Sequence, residues 1–402
     1  MEPGNRSKDS LRRDGPNPLA LRKALVDTLR ASGVFRDPEV ERALRTVPRH
    51  LFLPGVSLNE AYADIAVPTR WQDGVAISSA SQPAIVAVML EQLRVRAGMR
   101  VLEVGAGTGY NAALLAELVG PGGSVTTVDI DQDIVDDAEA HLAAAGYNDV
   151  RAIVGDGGLG WPPGAPYDRI SLTVGAGDIT PAWFEQLVDG GLLVLPLWLG
   201  GGQASVAFRK RDGTLTSESV APCGFMRLRG QEASSERIVN LPEGRQLFAE
   251  DAEQIARDIA DLLRQRPRRR LWTRSPQPVL QRLGVSGHRV VSIFTQRKGR
   301  RRQPTHTRQG VYIIGPDGPS LALFANTQPL VLYFGGDAAE SALKEIGGDS
   351  SATTETPMEQ WRIVAYPVAL APTSVPRGAL RLARRHFTYD IWLDLGSRQA
   401  GG

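Results

Sequence analysis

The stretch that most restricts what this chain can fold into is "RVLEVGAGTGYNAALLAELVG", residues 100–120. A short, largely apolar run, 101–104, stops at three glycines spaced by single residues, and an apolar helical pattern begins at Tyr110. A buried strand that ends on glycine and passes straight into a helix opens a βαβ unit. The theme then repeats. "SVTTVDI" ends on Asp129 and precedes a helical pattern over 134–145, "VRAIVGDG" and "YDRISLTVGA" read as two further strands, and a helix over 181–187 leads into "GGLLVLPLW". Strands alternating with helices at this spacing predict a mostly parallel, doubly wound sheet. Upstream, helices are predicted over 18–30, 37–47 and 83–93, with Asp37-Pro38 as a start signal.

At 402 residues the chain is long for one core, and two domains are expected. Residues 1–17 read as a disordered lead-in, 18–235 as the α/β domain and 236–402 as a second domain of mixed α and β. Charge supports the division. The part from Glu236 onward holds 24 Lys and Arg against 16 Asp and Glu, whereas 1–235 holds 22 against 28. The second part contains an amphipathic helix, "AEDAEQIARDIADLLRQR", and two basic runs, "RQRPRRR" and "RKGRRRQ". It continues with a hairpin turning at Pro316-Asp317-Gly318, a helix over 338–346, a polar loop over 347–357, and the strand-like "WRIVAYPV" and "HFTYDIWLDL". A single cysteine, Cys223, excludes an intrachain disulfide, and without a Cys/His cluster no metal site is expected. No apolar run has the length of a membrane span, and no hydrophobic stretch follows the charged start as in a signal peptide. The expected location is cytoplasmic.

The glycine loop reads Glu103-x-Gly105-x-Gly107-x-Gly109. Alone it could be a plain tight turn. However, Asp129 ends the next strand, where a carboxylate can take both hydroxyls of a ribose, and Asp156 with Gly157 ends the third, where a carboxylate can meet an adenine amino group. The spacing is one residue tighter than the dinucleotide fingerprint, and no lysine follows it as in a P-loop. A glutamate just before the glycines suits a cationic ligand better than a pyrophosphate. S-adenosylmethionine (SAM) carries a sulfonium and an ammonium and no phosphate. The expectation is therefore an α/β, Rossmann-like class I SAM-dependent methyltransferase with a C-terminal mixed α+β domain. Glu103, Gly105, Gly107, Gly109, Asp129, Asp156 and Gly157 are its candidate cofactor residues.

"DGVAISSASQPAIVAVMLEQL", residues 73–93, places Ser78, Ser79 and Ser81 at the mouth of a helix opened by Pro83. Ser81 could serve as an N-cap. Together with "VPRHLFLP" (47–54), "AYADIAVP" (61–68), the glycine loop, "VDID" (128–131), "GDG" (155–157) and "CGFMRLRG" (223–230), this region resembles the protein-L-isoaspartate O-methyltransferases over about residues 20–230. The resemblance implies that Asp129 and Asp156 hold the ribose and adenine of SAM, and that the serine segment lies over the methyl group. A carboxylate substrate is already ionised at neutral pH and needs no general base. It needs alignment, which Ser79, Ser81 and Ser78 can give through hydroxyls.

Repair enzymes of the family commonly read Gln-Thr-Ile-Ser where this chain has Ser78-Ser79-Ala80-Ser81, and consist of little beyond the first domain. The serine pattern with a C-terminal extension resembles a subgroup acting on ribosomally made, modified peptides. That implies methylation of an aspartate side chain, the ester then closing to an aspartimide, with the second domain recognising the peptide. The alternative is repair of isoaspartyl residues in damaged proteins. Nucleic acid is not the expected partner. The fourth strand is not followed by the Asn/Asp-Pro-Pro-aromatic motif of amino-group methyltransferases, and the basic runs lack interleaved aromatics. His50, Cys223, Asp64 and Trp71-Gln72-Asp73 are read as structural or pocket-shaping.

Overall fold

A computed structural model describes residues 16–393, except 73–74, 235, 274, 297–303, 326–328 and 348–357. The predicted lead-in before residue 16, the run "RKGRRRQ", Asp73 and nearly all of the polar loop after 347 therefore lie outside the described residues.

The chain begins with α1 (Pro18–Ala31), capped by the Asn17 side chain, α2 (Pro38–Thr46), capped by Asp37, and the single turn α3 (Leu58–Ala61). An antiparallel hairpin, β1 (Val67–Gln72) and β2 (Val75–Ala80), then leads to α4 (Pro83–Leu93). Ser78 and Ser79 thus lie on a strand rather than at a helix mouth. Next come β3 (Arg100–Val104), α5 (Tyr110–Val119), β4 (Ser124–Asp129), α6 (Gln132–Ala145), β5 (Arg151–Val154), β6 (Tyr167–Leu172), α7 (Pro181–Gln186) and β7 (Leu187–Trp198). These five strands pair in parallel in the order β7-β6-β3-β4-β5. The strand order reverses beside β3, and in such sheets ligands bind beyond the carboxyl ends at that point. Neighbouring residues of β7, Leu193 and Val194, enter different apolar cores, as the two faces of one sheet require. One core lies under α1, α2, α4, α5 and α6, the other around Trp183 of α7.

Beyond β7 the sheet turns antiparallel through β8 (Gln203–Arg211) and β9 (Thr214–Cys223). A second, seven-stranded antiparallel sheet follows. It comprises β10 (Glu236–Leu241), β11 (Arg245–Glu250), β12 (Arg268–Leu271), β13 (Arg289–Gln296), β14 (Pro304–Gly315), β15 (Gly318–Phe324) and β16 (Leu330–Gly335). The expected hairpin is present, with Gly315 opposite Gly318. Its helices are α8 (Ala252–Arg264), α9 (Gln277–Val285) and α10 (Ala338–Gly347). The Arg268–Arg270 run forms an edge strand in which Arg268 and Arg270 face Asp337 and Glu340, so part of its charge is spent within the fold.

The chain then crosses back. β17 (Arg362–Pro367), β18 (Leu380–Ala383) and β19 (Phe387–Trp392) extend the first sheet, β17 pairing with β9. The division at 235/236 placed these strands in the second domain. Their apolar faces, Ile363, Ala365, Tyr389 and Ile391, bury instead in the core around Trp183. Among the described residues no helix is long and apolar enough to cross a membrane, and no cluster of His, Cys, Asp and Glu could hold a metal.

Candidate active site

A cavity of about 1070 Å³ opens at the carboxyl ends of β3 and β4, beneath the β1–β2 hairpin. Its wall contains Ser78, Ser79, Ser81, Glu103, Gly105, Gly107, Asp129 and Gly157, residues that span 80 positions of sequence. Two of the expected site residues, Gly109 and Asp156, stand off this wall.

Glu103 is fully buried at the end of β3. Its Oε1 accepts a 2.7 Å hydrogen bond from Asn111 Nδ2, while Oε2 has no partner. Burial raises its pKa to about 7, against the lowering effect of Asn111 and Thr127, and the charge of Asp129 adds to the rise. A buried carboxylate in a cavity wall is a receptor for a cation. Gly105 sits at φ +101°, and a Cβ there would lie 2.6 Å from Thr173 Oγ1, which itself donates 2.6 Å to the Gly105 carbonyl. No side chain fits. At Gly107, φ +51°, a Cβ would project into open space, with only the Ser79 carbonyl 3.7 Å away, so its absence keeps backbone bare toward the cavity. The Gly107 N–H donates to Asp129 Oδ2 at 3.2 Å, and the Ile130 N–H donates to Oδ1 at 2.9 Å. Burial raises the Asp129 pKa, opposed by these amides and by Arg229, whose Nη2 lies 3.8 Å from Oδ1 and 2.5 Å from Asp131 Oδ2.

Gly109 and Gly157 are small for packing. A Cβ on Gly109 would lie 3.1 Å from the Ala138 carbonyl of α6, and one on Gly157 would lie 2.4 Å from Val104 Cγ1. Asp156 is occupied by backbone. Its Oδ1 accepts from the Gly158 N–H at 2.9 Å and its Oδ2 from the Gln231 N–H at 2.7 Å. The structure thus gives Asp156 the work of tying the 230–231 loop down, each oxygen accepting one backbone N–H and keeping a further lone pair.

The period of β2 puts Ser78 with Ala80 on its buried face, and Ser79 with Ser81 on a half-buried one. Thr69 Oγ1 donates to Ser78 Oγ at 3.3 Å, while among the described residues the Ser79 and Ser81 hydroxyls are unpartnered. Ser81 does not cap α4. Gln82 holds the N-cap position, and the capping oxygens come from Asp64, which accepts from the Ala84 N–H at 2.8 Å and from Gln82 Nε2 at 3.0 Å. Sequence reading missed Arg49. Only 1% exposed, it donates from Nε to the Ala61 carbonyl at 3.0 Å and from Nη2 to the Ser81 carbonyl at 2.9 Å, with its guanidinium over the Tyr110 ring. It braces the serine segment from behind, and burial lowers its pKa. The signal is present in "VPRHLFLP", where Arg49 stands beside His50. His50 bonds to the Tyr62 hydroxyl at 2.7 Å, off the cavity wall. Cys223 ends β9, and burial pushes its thiol to about 12. Neither supplies a base or nucleophile.

A doubly wound sheet with a glycine-lined cavity at its reversal point is the architecture of a class I SAM-dependent methyltransferase. The family profile described as Protein-L-isoaspartate(D-aspartate) O-methyltransferase (PCMT) matches residues 20–233, and the chain belongs to that family. The chain is 40% identical over 224 residues to the protein-L-isoaspartate O-methyltransferase of Methanopyrus kandleri, covering 54% of this chain and 94% of the relative. With its namesake from Ignicoccus hospitalis it is 42% identical over 176 residues, covering 44% and 81%. A solved protein-L-isoaspartate O-methyltransferase structure superposes with a TM-score of 0.51 at 25% identity, covering 85% of this chain and 96% of its own.

These matches overturn the expectation of an enzyme that esterifies aspartate side chains in modified peptides. The relatives carry the isoaspartyl name over nearly their whole length, and the solved one matches far past residue 235. The C-terminal extension is therefore no mark of a different substrate.

The residues present fit the cofactor. Glu103 Oε2 is a buried, unpaired acceptor suited to an ammonium, and Gly105 and Gly107 leave bare backbone beside Asp129. When bound, SAM supplies an electrophilic methyl group on a sulfonium.

Proposed function

We propose that this protein methylates the free α-carboxylate of isoaspartyl residues in proteins and peptides; its relatives are named protein-L-isoaspartate O-methyltransferases. The observation that carries this reading is that one cavity is lined by two unlike sets of groups: the carboxylates of Glu103 and Asp129, and the unpartnered Ser79 and Ser81 hydroxyls. In this reading Glu103 and Asp129 hold the cofactor's ammonium and ribose, and Gly105 and Gly107 let it lie against backbone. Ser79 donates to the substrate carboxylate, Ser81 and Ser78 support it, and Arg49 fixes their backbone. A carboxylate is its own nucleophile at neutral pH, so these residues orient it and no proton needs to move. Hydroxyls suit that task, because they hold the anion without neutralising the oxygen that attacks.

The test uses one protein in two states. A polypeptide aged at neutral pH until isoaspartyl residues accumulate is compared with a fresh sample, using cofactor labelled in its methyl group. Base-labile methyl esters are expected on the aged sample in proportion to its isoaspartyl content. Equal labelling of both samples would contradict the reading.

A further inference from the structure

One side of the cavity is built by the second sheet. Ile238 of β10 and Phe248 of β11 are in its wall, and they are direct cross-strand partners, so both side chains stand on the same face of that ladder. On β11 the flanking Leu247 and Ala249 point the other way, into the second sheet's own core. An apolar pair on the outer face of an antiparallel sheet is unusual, since that face is ordinarily polar. Ile238 remains 43% exposed. Phe248 meets Trp198, at the end of β7, edge to face with ring centroids 5.5 Å apart, and the Arg227 guanidinium lies 5.4 Å from the Phe248 ring centroid.

Trp198 Nε1 is a buried donor with no acceptor, although Trp198 itself lines the cavity. An indole N–H shut away from water without a partner is costly, and an acceptor on a bound molecule removes that cost. The Arg227 Nη1 donates to the Glu236 carbonyl, and among the described residues Arg227 forms no ion pair. The position of the second sheet is fixed beside Trp198. Gly200 and Gly284 of α9 pack backbone to backbone, so closely that a Cβ on either would lie within 2.4 Å of the other's backbone. The cavity slightly exceeds the roughly 300–1,000 Å³ of a small-molecule site, which leaves room for peptide beside a cofactor.

We infer that Trp198, Arg227, Ile238 and Phe248 form a specificity subsite for the residue next to the isoaspartate: it takes an aromatic or large aliphatic side chain against Ile238 and Phe248, and a peptide carbonyl on Trp198 Nε1. The inference rests on the isoaspartyl reading. It makes the second sheet a selector of which damaged sites are methylated first, those in apolar sequence surroundings.

The experiment uses the full chain and two isoaspartyl hexapeptides, one with phenylalanine on both sides of the isoaspartate and one with serine on both sides. The wild-type protein is expected to favour the phenylalanine peptide about tenfold in kcat/KM, mostly through KM. Ile238→Ser is expected to bring that ratio to within about twofold of one, whereas Trp198→Phe, which keeps an aromatic ring without the N–H donor, is expected to lower kcat/KM about fivefold for both peptides, since both offer the peptide carbonyl. Cofactor affinity serves as the check on folding. A wild-type ratio near one, a ratio that survives Ile238→Ser, or an unchanged kcat/KM for both peptides in Trp198→Phe would overturn the subsite while leaving isoaspartyl methylation standing. Transfer to neither peptide by wild-type protein that binds the cofactor would overturn the isoaspartyl reading and the subsite together.

Discussion

The two walls of the cavity are held in place by different means. The wall of Glu103, Gly105, Gly107 and Asp129 comes from two adjacent parallel strands and the loop between β3 and α5, with backbone amides on both Asp129 oxygens. The rest of the lining is gathered from the β1–β2 hairpin, the end of β7, the 223–229 loop and the second sheet, and it keeps unpartnered hydroxyls and an unpartnered indole N–H. A constant ligand is served by a wall of backbone and a braced Asp129 carboxylate, with one buried acceptor, Glu103 Oε2, left for its cation. A variable ligand is served by a wall with donors held in reserve.

Breaking the first wall should have the largest effect. Asp129→Ala removes a carboxylate that accepts from Gly107 and is expected to weaken cofactor binding by about 10- to 100-fold, the value of one or two charge-assisted hydrogen bonds. Isothermal titration reads it, and an unchanged Kd would erase the distinction between the walls. Ser79→Ala is the converse. Cofactor affinity should hold within about twofold, while kcat/KM for an isoaspartyl peptide falls about tenfold. Equal loss of both would merge the walls into one site.

The charge on Glu103 sharpens the contrast. Burial raises its carboxyl from 4.5 to about 7, so the folded protein's preference for the neutral form is full below pH 4.5 and is lost as pH rises through 7. The ionised form, which accepts a cation, grows in over the same window. Cofactor binding should therefore be about fivefold weaker at pH 6 than at pH 7, and Glu103→Gln should flatten that dependence. The smallest effect is expected at Asp64→Ala. Losing the cap on α4 should cost about 1 kcal/mol in denaturant unfolding and leave cofactor affinity alone.

The first wall was legible because its constraints are local in sequence. Glycines at 105 and 107, an acid before them and an acid ending the next strand are each dictated by a few neighbouring residues. The strands and helices from 100 to 198 fell where apolar periodicity placed them, and the family followed from the same motifs. Asp156 shows the limit of that logic, since its strand-end position is right while the bond from the Gln231 N–H to its Oδ2, 75 residues away, is not visible in sequence. The serine segment was read as a helix mouth because Pro83 is visible in sequence and the pairing of β2 with β1 is not. The return of β17–β19 to the first sheet, and the approach of Ile238 and Phe248 to Trp198, depend on long-range strand pairing that no local pattern encodes.

The most direct measurement compares two peptides identical except at one residue, isoaspartate in one and aspartate in the other, as acceptors of labelled methyl from the cofactor. The account predicts methyl ester on the isoaspartyl peptide and background on the aspartyl one. Equal transfer to both, or transfer to the aspartyl peptide alone, would contradict it.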